Sequence, residues 1–232
     1  MTNIDTRTYI KAIALFWSFV LVFVSLVLSL PADAADLEIG TGYTYFVKQT
    51  DGVWYQEAYP YWMDQDDQSL SLGVSWKPAE TRYRAEFLTL GKHAVNAIVT
   101  SDGTYNPYFV AHCNPDCGLV SLVGRGSVSG VVLSASKDFH VFGLPFYAEG
   151  GIYANVKKWQ VNIGPVMGDG SRPTVELARE HQLDFGPVIG VGFRYGSVDV
   201  GVRYVYLDDS SEDDPMTPMM TGAYSLMFKA YF

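Results

Sequence analysis

After residue 34 the chain has no apolar run long enough to be a membrane helix. Each later stretch is broken within about ten residues by glycine, proline or a charge, where a spanning helix needs roughly 20. With a mean hydropathy of +0.06, a bundle of membrane helices is excluded. Basic residues are scarce: 16 Lys and Arg stand against 25 Asp and Glu, a formal net charge of −9. A nucleic-acid partner requires a basic surface to neutralise phosphates, so none is expected. Cysteine is scarcer still, at two. That is too few for a structural zinc site unless His112 and others join.

What the chain has in quantity is glycine, tyrosine and phenylalanine: 22, 16 and 13, with aromatics at 15%. Glycine admits close backbone approach, and aromatic residues favour the two interfaces of a membrane. Both suit a membrane β-barrel. At this length one domain is expected.

The N-terminus reads as a targeting segment. Arg7 and Lys11 precede an unbroken run of apolar residues and Ser over 12–30, and Pro31-Ala32-Asp33-Ala34 supplies a small-residue cleavage pattern. The run is longer than a usual signal core and close to spanning length, so the rival reading is an uncleaved anchor. No basic stop-transfer flank follows, and cleavage after Ala34 is expected. The division is then a signal-peptide helix over 1–34 and a barrel domain over 35–232. Asp5 and Asp33 balance Arg7 and Lys11, so the mature chain keeps the net charge. In a membrane, such a chain can satisfy its backbone only as a closed barrel.

The mature chain carries the matching signal, strands of alternating polarity. In the last segment Gly222, Tyr224, Leu226, Phe228, Ala230 and Phe232 share one face. Thr221, Ala223, Ser225, Met227, Lys229 and Tyr231 share the other. The same alternation places Val198, Val200, Val202, Tyr204 and Tyr206 outward, then Phe185 to Tyr195 and Phe146 to Val156 at every second residue. It also places Leu37 to Tyr45, Leu70 to Trp76 and Tyr83 to Phe87 outward. The strand near 119–138 fits either face. Pro187 cannot donate to a ladder, and a local irregularity is expected there. These segments make eight strands, joined by short turns around 78–80, 140–144 and 196–197 and by long connections at 49–68, 91–117, 160–182 and 208–219. The expected fold is all-β: a closed antiparallel eight-stranded transmembrane β-barrel with both ends on the periplasmic side.

The inward faces carry mixed charge: Glu38, Arg82, Arg84, Glu86, Glu149, Lys157, Arg194, Asp199, Arg203 and Lys229. An eight-stranded barrel is just narrow enough for side chains to fill it. Buried charges of both signs must pair, so a plugged lumen is expected.

Gly-Gly-Ile-Tyr-Ala-Asn-Val-Lys-Lys-Trp at 150–159, Gly-Val-Gly-Phe-Arg-Tyr at 190–195, Gly-Val-Arg-Tyr at 201–204 and the Phe232 terminus carry a resemblance. The mature chain resembles the small OmpA-like outer-membrane β-barrel family, in a form without a periplasmic domain. Its last strand resembles the C-terminal assembly signal of outer-membrane proteins, carried by Tyr224, Leu226, Phe228, Ala230 and Phe232. The resemblance implies residence in the outer membrane among lipid and lipopolysaccharide, after insertion by the barrel-assembly machinery. The family's functions vary widely.

Three loop features remain. Cys113 and Cys117 flank Asn114-Pro115-Asp116, and a loop-tip disulfide is expected of an exported chain. His93, His112 and His181 fall in or near external loops, with Ser101, Asp102 and Glu180 close in sequence. Without a nucleophile–base spacing these read as solvated histidines, so no catalytic set, cofactor or metal is expected. His140 lies at a turn. The first loop is aromatic and acidic (Trp54, Tyr55, Tyr59, Tyr61, Trp62, Asp64, Asp66, Asp67), and the last carries Asp208, Asp209, Glu212, Asp213 and Asp214. Asp64-Gln65-Asp66 lacks the Gly and Glu of an EF-hand, and interface belt plus solvated tip is the plainer reading. The leading expectation is a structural or surface-interaction protein, with a ligand surface on 49–68 and 91–117. The alternatives are an enzyme acting on lipid A or another envelope substrate, and a small-solute channel.

Overall fold

Nine strands, each antiparallel to its neighbours, close into one ring. The structure, a computed structural model, describes residues 35–48, 61–100, 119–165, 173–207 and 220–232. The strands are β1 (Ala35–Lys48), β2 (Tyr61–Asp64), β3 (Asp66–Trp76), β4 (Thr81–Thr100) and β5 (Leu119–Val141). Then follow β6 (Leu144–Pro165), β7 (Val175–Tyr195), β8 (Val198–Tyr206) and β9 (Met220–Tyr231). Sequence neighbours pair from β4 round to β9, β9 pairs with β1, and β1–β3–β4 completes the circuit. β2 is the continuation of β3 beyond a break at Gln65. It keeps pairing with β4, while Gln65 turns its carbonyl to the Phe46 N–H and its side-chain amide to the Phe46 carbonyl. Counted as one stave, β2 and β3 make the barrel eight-stranded, as the alternation predicts.

The barrel is inside out. Leu37, Ile39, Leu70, Leu72, Phe87, Ile152, Phe185, Ile189, Val202, Leu226 and Phe228 are exposed on its outer wall, while Glu38, Arg84, Glu86, Glu149, Asp199, Arg203 and Lys229 are buried within. A soluble barrel places its apolar residues the other way. An apolar outer wall around an interior that holds the charged side chains is the arrangement that hydrocarbon surroundings require. The strand near 119–138 resolves with Val128, Gly130 and Val132 inward and Leu133 outward. It reads ambiguously because the lumen at Val128 and Val132 is itself apolar.

Two expectations need correction. The long connections at 91–117 and 160–182 are shorter than expected, because β4 runs on to Thr100, β6 to Pro165, and β7 starts at Val175. The 49–68 connection likewise gives up its last residues to β2 and β3. The strands continue, but their outer faces change from apolar to polar, so the lipid-type alternation stops before the strand does. At Pro187 the β6–β7 register is uninterrupted, with Pro187 opposite Ile152. The β7–β8 ladder begins one residue later, at Val188, so proline's missing donor falls at a ladder end. Register shifts occur instead at Val47/Lys48, Thr89/Gly91 and Val161/Asn162.

Short turns join the strands at one end. Gly196 has φ +59°, fitting the tight Gly196-Ser197 turn. In the β5–β6 turn both central residues, Phe142 (φ +52°) and Gly143 (φ +80°), are left-handed. Glycine adopts that backbone freely and phenylalanine does not. Phe142 is 101% exposed, so no packing compensates. Phe142→Asn, a residue that tolerates the left-handed region, is expected to raise the unfolding free energy by about 1 kcal/mol. Urea unfolding in detergent measures it, and an unchanged midpoint would show that the turn carries no such cost.

Candidate functional site

The lumen is filled in layers, beginning near the short-turn end with an ion network. Arg84 on β4 reaches across the barrel. Its guanidinium donates to Glu38 of β1 at 2.5 Å, Glu149 of β6 at 2.9 Å, Asp199 of β8 at 3.3 Å and the Tyr231 hydroxyl of β9 at 2.8 Å. Period-two placement alone puts these five residues on the inner wall, and the small radius brings them together. Arg203 donates to Glu149 at 2.9 and 3.0 Å and to Glu86, which also accepts from Lys229 at 2.5 Å. Ser134 donates to Glu149 at 2.5 Å. Nearer the turns, Arg194 pairs with Asp199 at 2.7 Å and with Asp138, while Arg82 pairs with Asp36 at 2.7 Å. Lys157 lies higher, 3.3 Å from Asp184. Each of these charges has a partner of opposite sign, and Arg84, Glu86, Glu149, Arg194, Asp199 and Arg203 have more than one, the condition under which ions tolerate burial.

The structure thus brings Arg84, Glu86, Glu149, Arg194, Asp199, Arg203 and Lys229 into one linked set and leaves Arg82 at its edge with Asp36. Three further members carry no charge pattern of their own. Asp138 lies in the strand of ambiguous register, Ser134 is a neutral donor, and Tyr231 sits at an inward position where its hydroxyl donates to Asp199. Alternation had marked the position of Tyr231, but its role depends on a partner 32 residues away.

Above the ions lies an apolar layer that includes Phe46, Leu88, Leu90, Val128, Val132, Tyr153, Val188 and Met227. The Tyr153 hydroxyl donates to the Leu88 carbonyl at 3.0 Å. Higher again, His93 is buried, with ring centroids 4.7 Å from Phe46 and 5.6 Å from Trp159, nearly parallel to the latter. Glycines make room for this stack. A Cβ on Gly126 would lie 2.2 Å from the His93 ring, and one on Gly124 would lie 2.2 Å from the Trp159 ring.

The histidine candidates separate. His93 faces the lumen and is not a solvated loop residue, because β4 continues through it. His181 is exposed on the outer wall of β7, and His140 is exposed near the short turn after β5. His112, Ser101, Asp102, Cys113 and Cys117 lie outside the described residues, as do the targeting segment and Asp208 to Asp214. So do Trp54, Tyr55 and Tyr59. Tyr61 and Trp62 fall in β2, and Asp64 and Asp66 are exposed on the same stave. Among the described residues no group of three or more His, Cys, Asp or Glu is placed to hold a metal ion. Of the terminal-strand residues, Tyr224, Leu226, Phe228 and Phe232 are exposed on the outer wall and Ala230 is half-buried.

No family model matches the chain, and no curated protein matches it in sequence. Among solved structures it is similar to Neisserial surface protein A, with 12% identity and a TM-score of 0.36 over 85% of this chain and 95% of that one. It is also similar to Ail, the attachment invasion locus protein of Yersinia pestis, solved in complex with the heparin analogue sucrose octasulfate. That match has 11% identity and a TM-score of 0.44 over 85% of this chain and 97% of that one. The translocator domain of the autotransporter NalP from Neisseria meningitidis matches at 14% identity and a TM-score of 0.29, over 97% of each chain. The closed ring, and not these likenesses, establishes the fold.

Proposed function

We propose that the protein spans a bacterial outer membrane as a barrel closed to solutes, and serves there as a structural and surface-interaction element. The observation that carries this is the lumen. Arg84 is 2% exposed and bridges β1, β6, β8 and β9 across the interior, with a buried apolar layer above it. A solute would have to break buried ion pairs and then open packed side chains. The apolar outer wall supports membrane residence, and the targeting pattern before residue 35 with the aromatic terminal strand supports the outer membrane. Tyr224, Leu226, Phe228, Ala230 and Phe232 are then the side chains that the assembly machinery reads.

Interaction is assigned to the end opposite the short turns. There β4 to β7 outrun the other staves: β6–β7 pairing reaches Val175, while β7–β8 pairing stops at Val188. They raise a partial wall at this end, which supports the assignment of ligand or partner binding to the segments 49–68 and 91–117, as far as these lie within β2, β3 and β4. His93, enclosed between aromatic rings, gives no support to the enzyme alternative.

Planar-bilayer recording of the refolded protein tests the closed lumen. Current at the level of the bare bilayer is expected. Sustained unitary steps would replace this proposal with the channel.

A further inference from the structure

In a chain of net charge −9, the outer wall of β4–β7 gathers cations in one place. Lys92, Ser127, Lys158 and His181 are cross-strand neighbours in one row, and Arg125, Gln160 and Arg179 follow in the next. They border a depression of about 340 Å³. All five of the basic side chains are exposed. Arg179 is held by Glu176 at 2.6 Å. Among the described residues, Lys92, Arg125 and Lys158 have no carboxylate within ion-pair distance. The far flank has the opposite character: on β3 the outward positions beyond Leu70 are Gln68 and Asp66.

The position of these cations along the strands matters as much as their charge. One row nearer the membrane on the same face are Thr89, Ser129, Val156 and Leu183. The next row is Phe87, Val131, Ala154 and Phe185. Within about two residue pairs, roughly 13 Å at 3.3 Å per residue, the wall passes from hydrocarbon-type side chains through hydroxyls to guanidinium and ammonium groups. That sequence of surfaces is complementary to an amphiphile with acyl chains at one end and phosphate at the other.

We propose that Lys92, Arg125 and Lys158 bind the phosphate of an anionic lipid of the surrounding leaflet, whose acyl chains lie against the Phe87–Phe185 rows. The inference rests on the membrane-spanning orientation proposed above. Free phosphate lacks the apolar half of the contact, so the lipid is the occupant that uses the whole surface. Charge-assisted hydrogen bonds from the exposed cations supply the polar half.

Native mass spectrometry of the refolded barrel in a non-ionic detergent tests this, with bisphosphorylated lipid A as the probe. Its dephosphorylated form and inorganic phosphate are the comparison arms. Lys92→Gln, Arg125→Gln and Lys158→Gln are combined in one variant; all three sites are exposed, so folding is expected to survive. The wild type is expected to retain lipid A, and the variant to bind it on the order of 100-fold more weakly, at about 1 kcal/mol per cation. Dephosphorylated lipid should bind both proteins equally weakly. Equal retention of lipid A by variant and wild type would overturn the proposal. Displacement of the lipid by equimolar inorganic phosphate would overturn the lipid as occupant and leave an anion site. A wild-type band without a heat-dependent gel shift would overturn the barrel's membrane orientation itself, which is a different result from a shifted band that binds no lipid.

Discussion

Arg84→Ala is expected to lower the unfolding free energy by about 3–5 kcal/mol, the range for removing one partner of a buried ion pair. The loss does not measure the attraction of any single pair. Removing the guanidinium leaves Glu38, Glu149 and Asp199 in a space from which water is largely excluded, and their mutual repulsion is no longer screened. Glu38 is the most exposed to this loss, because Arg84 is its single ion-pair partner among the described residues, whereas Glu149 retains Arg203. Combining Arg84→Ala with Glu38→Gln should therefore cost less than the sum of the two single changes, by 1 kcal/mol or more if the pair is coupled. Urea titration of the barrel refolded in detergent or lipid vesicles, read by tryptophan fluorescence, gives all the required values. A single-variant loss below 1 kcal/mol would mean that water already solvates these carboxylates.

The second large effect is expected on the opposite face of the wall. Ile152→Arg should cost about 2–4 kcal/mol, the range for a cation facing lipid near the bilayer midplane. Ile152 is 60% exposed on β6, between Pro187 of β7 and Leu133 of β5, inside the apolar belt. Gln160 lies on the same face of the same strand, among the cations of the next rows up, and Gln160→Arg should cost about 0–1 kcal/mol. The contrast between two identical side chains on one strand locates the edge of the hydrocarbon. Equal costs in lipid vesicles would remove that edge and with it the membrane reading of the belt.

The parts of the fold that were legible share one property: outward and inward residues differ in polarity. In β9, Leu226 and Phe228 against Met227 and Lys229 make the face unmistakable. β4 shows how legibility ends. Up to Leu88 its even-numbered residues Arg84, Glu86 and Leu88 point inward. Leu90 is the extra residue of the bulge between Thr89 and Gly91, and beyond it the odd-numbered His93 and Val95 point inward. A period-two pattern cannot be carried across a bulge. The outward set also changes there from Tyr83 and Phe87 to Lys92 and Asn96, so the lipid signature disappears while the hydrogen-bonded ladder continues. β5 fails for another reason: Val131 faces outward and Val132 faces the apolar lumen layer, so both faces look alike. The same ambiguity concealed Asp138, which enters the ion network only once the face of β5 is known. The cationic surface was hidden as well. Its members lie on four strands, between 92 and 181, and cross-strand register alone makes Lys92, Ser127 and Lys158 neighbours.

The β1–β9 seam places a constraint on the order of events in time. Leu37 and Phe232 exchange both backbone hydrogen bonds, at 3.1 and 3.0 Å, although they stand at opposite ends of the barrel sequence. The ring cannot close until β9 has been synthesised, and until then every partial product has two open edges. The most distant contact is therefore the last to become available. A chain released early would lack a wall of the barrel and would present its unpaired edges to whatever strand it met first.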